Sequence, residues 1–451
     1  MELELHDILK IHYASVQLKG LTVITGENNS GKSTIGKVLF SLLKATNNVR
    51  QVDKFKTDLL ISQQLEMIGR MLMRRFSITG KFNRPEQELP LLKDIPALSM
   101  DLISNVVSID DVQTELEKAA RQMSFTPRDV SIVREHCKKI RLFLISLTSP
   151  EKALKEEFTQ ISQSEFQEGL CSFGSNFSRI TFHDDTADAA GSRMEVEINN
   201  NTISHVSLMG YTSLKDVTYV ESPLYMHILD ALRMADTISP ISSRKPLNPF
   251  ARIKAPYHLV DMADKLASAP DTFSMPPFDD NEYASQLLRI KELTGGAFSV
   301  DSKTKRLTFK EGTHELPPVS VASGIKSFGV LQRLLQGGYL SPFRLLIWDE
   351  PEIHLHPQWQ VEFCELIVEL VSLGIPIVVS THSPYFLQGL RYFAAKKGVE
   401  QSVTYYAPKQ NPDGNLCDFE DVTDNLNEVF TLLAAPLQEI MNVDEARNAE
   451  Q

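Results

Sequence analysis

Hydrophobic and polar positions alternate loosely through ELELHDI (2–8) and IHYASVQL (11–18), which predicts two strands at the start of the chain. LTVIT (21–25) is a continuous apolar, β-branched run, the pattern of a strand buried on both faces of a parallel sheet. The spacing then changes. From about Ser33, the apolar residues Ile35, Val38, Leu39, Leu42 and Leu43 recur at helical intervals and form one face. Segments 59–76, 111–123, 129–147 and 150–167 keep that helical period, so 51–170 is expected to be a helical insertion. Strands return in SRITFHDD (178–185) and in SRMEVEINNNTISHVSL (192–208), where a hairpin is predicted around Asn199–Asn201. DVTYVESP (216–223) follows as a short strand, and AFSVDSKTKRLTFKEG (297–312) as a second hairpin.

Between 320 and 400 the pattern is helix, strand, helix, strand. RLLIW (344–348) and IPIVVST (375–381) are unbroken apolar runs expected in the middle of a parallel sheet covered on both faces. The predicted fold is α/β: a mixed sheet with flanking helices, interrupted by the large helical insertion. Residues 1–50, 171–235 and 290–440 are assigned to this discontinuous domain. Residues 236–289, rich in Pro and Ser, read as a mobile or helical excursion, and 441–451 as a frayed tail.

Composition narrows the class. The 451 residues hold 58 acidic and 46 basic side chains, a formal charge of −12, which argues against a protein that coats nucleic acid non-specifically. At 42% hydrophobic there is ample material for a core. Cys137, Cys171, Cys364 and Cys417 are scattered with no CxxC pair, favouring a reducing cytoplasm over a disulfide or zinc framework. The first residues are acidic and polar, unlike a secretory signal, and no apolar run is long enough to span a membrane.

The chemistry centres on Gly26-Glu27-Asn28-Asn29-Ser30-Gly31-Lys32-Ser33, which fits GxxxxGK[ST]. Glycines let backbone N–H groups curl around phosphate oxygens at a helix N-terminus, Lys32 reaches the β- and γ-phosphates, and Ser33 ligates Mg²⁺. Asn28, Asn29, Ser30, Gly31, Lys32, Ser33 and Thr34 are therefore expected to cradle a nucleoside triphosphate. Leu345-Leu346-Ile347-Trp348-Asp349-Glu350 has the form of a Walker B strand. Asp349 is assigned to Mg²⁺ and Glu350 to activation of the attacking water. No NKxD-like guanine-reading motif occurs, which argues against a GTPase.

Two further elements fit this frame. Val379-Ser380-Thr381-His382-Ser383-Pro384 ends the next apolar strand, so His382 is expected beside the γ-phosphate. Ala322-Ser323-Gly324-Ile325-Lys326-Ser327 opens a helix whose apolar face holds Phe328, Leu331, Leu334 and Leu335, and Ser323 and Gly324 would form a second anion-binding element.

P-loop, Ser-Gly helix, DEPE and a strand ending in His: this order resembles the ATP-binding-cassette ATPases of the RecF/SMC/OLD-like branch. LLIWDEPEIHLHPQWQ, with ASGIKS before it and STHSP after it, resembles the OLD-type ATPases of bacterial defence systems over about 1–45 and 205–435. The resemblance implies ATP and Mg²⁺ as ligands and two protomers facing head to tail. Each ATP would lie between the P-loop, Asp349, Glu350 and His382 of one copy and Ser323 and Gly324 of the other. Glu352, His354 and His356 match the segment that communicates between the two sites, and Tyr219–Pro223 resembles a strand leaving the ATP site towards the insertion.

The sequence departs from the pattern in two places: the signature is not a full LSGGQ, and no glutamine is placed as the Q-loop ligand. The stretch after His382 is too short for the Toprim nuclease of full OLD proteins, and its acidic Asp418, Glu420 and Asp421 read as a solvated loop. The arrangement therefore looks like the PtuA and AriA type, which work with a separately encoded nuclease or toxin. The leading expectation is such a defence ATPase, homo-oligomeric and without a membrane role. The rival is a RecF-like clamp on DNA, for which the Arg70, Arg74, Arg75 and Arg84 patch with Phe76 and Phe82, or the 244–254 basic cluster, would supply contacts, although a solvated helical face is the simpler reading. A transporter subunit is disfavoured by the insertion and the DEPE-HLHP segment.

Overall fold

The computed structural model describes residues 1–50, 54–79, 92–104, 106–122, 126–148, 150–167, 169–187, 191–234, 255–269, 283–301, 306–411 and 415–435. By contacts the chain divides into two compact units. One comprises 1–44, 161–238 and 245–451, and the other 45–160 with 239–244.

Among the described residues the first unit is built on an eleven-stranded sheet in the order Thr202–Met209, Ser192–Asn199, Phe177–Asp184, Glu2–Ile8, Ile11–Gln17, Cys417–Asp421, Val403–Gln410, Leu21–Thr25, Ile377–Thr381, Arg344–Asp349 and Asp216–Val220. Strands β1 (Glu2–Ile8) and β2 (Ile11–Gln17) pair antiparallel, as their alternation predicts, and β1 also pairs with β4 (Phe177–Asp184). The hairpin of β5 (Ser192–Asn199) and β6 (Thr202–Met209) turns at Asn200 and Asn201, both with positive φ, which asparagine tolerates better than most residues. The other half is parallel: β13 (Val403–Gln410), β3 (Leu21–Thr25), β12 (Ile377–Thr381), β11 (Arg344–Asp349) and β7 (Asp216–Val220). Every residue of β3 and β12 is buried, which explains their unbroken apolar sequences.

Helix α1 (Lys32–Arg50) follows β3 directly, and Ile35, Val38, Leu39, Leu42 and Leu43 are all fully buried. The second unit contains four whole described helices, α2 (Lys54–Thr79), α3 (Ile95–Ile103), α4 (Ile109–Gln122) and α5 (Pro127–Thr148), with the end of α1 and the start of the helix that follows. α5 packs on α2 and α4 and buries Val133, Cys137 and Ile140. Helix α6 (Pro150–Phe166) carries the chain back into the first unit at Ile161. Arg70 pairs with Glu66 on its own helix, whereas Arg84, Phe82, the side chains of Arg74, Arg75 and Phe76, and the 244–254 cluster lie outside the described residues.

Two expectations are corrected. The 236–289 stretch, expected as a mobile or helical excursion, is helical over 257–268, but that helix belongs to the core. After the short helix α7 (Leu229–Met234), residues 257–268 form α8 (Tyr257–Ser268), which buries Leu259, Val260, Met262, Ala263 and Leu266. Its apolar spacing was outweighed in the sequence by the Pro- and Ser-rich flanks. Asp418, Glu420 and Asp421 lie in strand β14 (Cys417–Asp421), not in a loop: Cys417 and Phe419 point into the core while the acidic residues alternate outward. The hairpin of β8 (Ala297–Val300) and β9 (Leu307–Glu311) gains a third strand, β10 (His314–Leu316), following α9 (Ala284–Thr294).

The remaining core helices are α10 (Ser323–Gln336), α11 (Pro357–Ser372) and α12 (Pro384–Lys397). Phe328 of α10 and Trp348 of β11 both meet Phe363 of α11 edge-on, with ring centroids 5.3 and 5.1 Å apart.

A buried ionic quartet ties α1, β7 and α8 together. Lys44 reaches Asp216 at 2.8 Å and Asp261 at 2.7 Å, and Lys265 reaches the same two carboxylates at 2.9 and 2.8 Å. Burial alone would raise the Asp216 carboxyl, but Lys265 and Lys44 hold it well below the usual range. Replacing Asp216 by Ala leaves two buried ammonium groups with one carboxylate. The expected loss is about 3–5 kcal/mol in chemical denaturation. A loss below about 1 kcal/mol would mean that water already screens the quartet.

Candidate nucleotide site

Parallel pairing fixes the site. In β3, β12, β11 and β7 the C-terminal ends lie along one edge, the place where open α/β sheets present ligand-binding groups. The loop after β3 is the predicted phosphate cradle. Gly26, Asn29 and Gly31 all have positive φ. At Gly26 (φ +139°) a Cβ would also come within 2.5 Å of the Pro408 ring, so only glycine fits. Asn28, Asn29 and Ser33 are exposed, Thr34 is half-buried, and Ser30 is tied by its hydroxyl to the Glu27 carbonyl at 2.8 Å.

Lys32 is buried and curls back over its own loop, donating to the carbonyls of Gly26 at 2.9 Å and Glu27 at 2.7 Å. Burial lowers its ammonium from the ordinary value, opposed by the carboxylates of Glu350, Asp349, Glu352 and Glu27. The ammonium therefore has carbonyls where a phosphate would offer stronger acceptors.

Asp349 ends β11 opposite Ser380 of β12. One of its oxygens accepts from the Ser380 hydroxyl and the other from the Tyr219 phenol at 3.0 Å. A small cavity of about 10 Å³ is lined by Lys32, Ser33, Tyr219, Asp349 and Ser380. Hydroxyl and carboxylate oxygens are the hard donors that Mg²⁺ takes, so Ser33 and Asp349 fit that ion. Among the described residues no group of three His, Cys, Asp or Glu side chains could hold a metal without other ligands.

Glu350, the next residue, has a positive φ of 47°, a strained setting of the kind found at functional sites. His382 Nδ1 lies 3.1 Å from Glu350 and 3.8 Å from Glu352. Glu352 is buried; it accepts from the Thr381 hydroxyl at 2.6 Å and the His382 backbone N–H at 3.3 Å, while its second oxygen has no partner. The structure thus brings Lys32, Ser33, Asp349, Glu350 and His382 to one sheet edge. Ser323 and Gly324 are not among the residues lining the cavity. They open α10, where a Cβ on Gly324 would come within 3.1 Å of Trp359 and 3.3 Å of the His354 carbonyl. His354 is exposed with φ 69°, and His356 caps α11 by accepting from the Gln358 N–H.

Sequence reasoning missed Ser380 and the groups behind Tyr219. His258 of α8 is fully buried, 2.6 Å from Glu165 and 3.3 Å from Glu221, and Glu221 is also bound by Lys37 at 2.8 Å. These partners raise His258 despite its burial, and the His258 contact, with Lys37, lowers Glu221 to about 2. Burial, with the neighbouring Asp349 and Glu221 carboxylates, keeps the Tyr219 phenol well above its ordinary value. Only the register Asp349–Ser380 and Ile347–Tyr219 reveals these partnerships, and strand register is not written in any local motif.

Fold and site resemble a P-loop ATPase domain of ATP-binding-cassette type, with the motif order of the OLD/SMC-like branch. Residues 216–388 match the family model described as "AAA domain, putative AbiEii toxin, Type IV TA system". The OLD nuclease of Thermus scotoductus is 34% identical over 95 residues, 20% of this chain and 18% of that protein, so the match spans under a fifth of the relative's length. Among solved structures, the chain is similar to an SMC head bound to the C-winged helix domain of ScpA, at 12% identity and a TM-score of 0.40, covering 93% of this chain and 96% of that one. The SMC head domain from Thermotoga maritima gives 11% identity and a TM-score of 0.36, covering 93% and 98%. No described helix is long and apolar enough to cross a membrane.

The Glu352 carboxyl offers a pH test. Burial raises it above its ordinary value of 4.5, against the hydrogen bonds from Thr381 and His382. A raised acid gives its stabilising contribution below the ordinary value and loses it as pH climbs through the folded value. Glu352→Gln keeps an acceptor for Thr381 without the buried charge. Its stability relative to the unmodified protein is therefore expected to improve as pH rises above 4.5. A pH-independent difference in denaturation midpoint would refute the burial argument.

Proposed function

We propose that the protein binds and hydrolyses ATP, and that it serves as the sensor or regulator of a bacterial anti-phage system acting on a separately encoded nuclease or toxin. The observation carrying the ATPase reading is the convergence of Lys32, Ser33, Asp349, Glu350 and His382 at one sheet edge. Lys32 would exchange the Gly26 and Glu27 carbonyls for phosphate oxygens. Glu350 would accept a proton from the attacking water, with His382 beside it to hold the γ-phosphate and orient that carboxylate. Mg²⁺, held by Ser33 and Asp349, would supply charge neutralisation on the phosphates.

Ser323 and Gly324 do not line the P-loop cavity of their own chain, which fits their use in trans across a head-to-tail dimer. The regulatory role rests on the OLD nuclease match and the toxin–antitoxin description of the matched family. The nuclease or toxin partner, the homo-oligomer and the cytoplasmic setting are parts of the same proposal.

Lys32→Ala is expected to abolish ATP binding, whereas Glu350→Gln should bind ATP and lose turnover by about 10²-fold or more. Both are read by fluorescent-nucleotide binding and phosphate release; turnover unchanged in both variants would overturn the site assignment. Affinity capture of the Glu350→Gln protein with ATP separates the biological readings. A stoichiometric nuclease or toxin supports the defence role. DNA with repair factors and no effector, released steeply by salt, would replace it with the RecF-like clamp.

A further inference from the structure

We propose that Tyr219 is the positioning residue that sets the rotamer of the Asp349 carboxylate, and so the metal requirement of nucleotide binding. The inference rests on the ATPase reading and deepens it. The Tyr219 hydroxyl donates to Asp349 Oδ2 at 3.0 Å, while Ser380 donates to the other oxygen. With both oxygens engaged, the carboxylate cannot rotate without breaking a charge-assisted hydrogen bond.

The phenol is itself held rigidly. Tyr219 is 1% exposed on β7, the strand beside β11, with Val220 in register with Trp348. The His258 ring stands nearly perpendicular to it at 4.9 Å, and Phe40 of α1 lies at 6.2 Å. His258 is fixed in turn by Glu165 and Glu221. On the remaining side is Gly36, four residues after Lys32. A Cβ there would come within 2.8 Å of Tyr219 Cε2 and 3.1 Å of Ile347 Cγ2, so the P-loop helix leaves room for this ring only because residue 36 is glycine. A tyrosine that merely filled the core would need no hydroxyl aimed at the acidic strand end.

The test uses the full chain carrying Glu350→Gln, to suppress turnover, and titrates a fluorescent ATP analogue with and without Mg²⁺. Adding Tyr219→Phe keeps the ring and removes the donor. Affinity in excess chelator is expected to match the parent, while the Mg²⁺ concentration for half-maximal enhancement rises about tenfold, the effect of losing one hydrogen bond to a charged group. A filling-only role would alter the melting temperature and leave that midpoint in place, which would overturn the proposal. Should Tyr219→Phe fail to fold by circular dichroism, Gly36→Ala supplies the second arm. It retains the hydroxyl but displaces the ring, and a parental Mg²⁺ midpoint there would equally overturn the proposal. A parent that binds no nucleotide under either condition would instead sink the ATPase reading itself.

Discussion

Parallel hydrogen bonding among β3, β12, β11 and β7 is the constraint on which the rest of the structure depends. Because these strands run in one direction, their C-terminal ends share one edge, and residues remote in sequence arrive together: the P-loop, Ser380 to His382, Asp349 with Glu350, and Glu221. A shift of one residue between β11 and β12 would turn Ser380 to the opposite face and separate it from Asp349. The register is protected by burial. Trp348, Val379 and Leu346 are buried on β11 and β12, and a slip would force the closely packed side chains on both faces to repack.

The same edge concentrates opposing electrostatic costs. Asp349, Glu350 and Glu352 lie close enough to act on Lys32, and burial of the lysine works against them. Polar contacts relieve much of the strain: Thr381 and the His382 N–H on Glu352, Ser380 and Tyr219 on Asp349. What remains is a single buried lysine balanced by several carboxylates, with main-chain carbonyls as its acceptors. Such a balance would favour a polyanion at Lys32 more strongly when a cation accompanies it, because bare phosphate would face Asp349 and Glu350.

Much of this was legible in the sequence because the chemistry is local there. GENNSGKS must be a glycine-rich turn between a strand and a helix, and LLIWDE must end a buried strand, so their placement follows from short-range pattern alone. The hairpin at Asn199–Asn201 and the apolar face of α10 are legible for the same reason. Two kinds of feature were not. Helix α8 hides its period inside Pro- and Ser-rich flanks, and its polar residues His258, Asp261 and Lys265 give no sign of their place in the core until the ion partners on β7, α1 and α6 are in place. Strand β14 looks acidic because its charges alternate with only two core residues, Cys417 and Phe419. In both cases polar residues were stabilised by partners distant in sequence, which composition cannot anticipate.

Three glycines beside the proposed chemistry leave little room for a side chain. Gly26 faces the Pro408 ring, Gly36 faces Tyr219, and Gly324 faces Trp359 and the His354 carbonyl. The first lets the phosphate loop lie against β13, the second lets the P-loop helix approach β7 and β11, and the third seats the start of α10 against the segment that follows Glu350. Each contact joins a nucleotide-side element to a neighbour that carries another part of the site. Close-packed interiors transmit strain, so these contacts leave the joined elements little freedom to shift independently. The 323–324 turn lies against His354 and Trp359, just beyond Glu350 in its own chain. A group seated on Ser323 and Gly324 would therefore lie beside the segment that follows the proposed catalytic carboxylate.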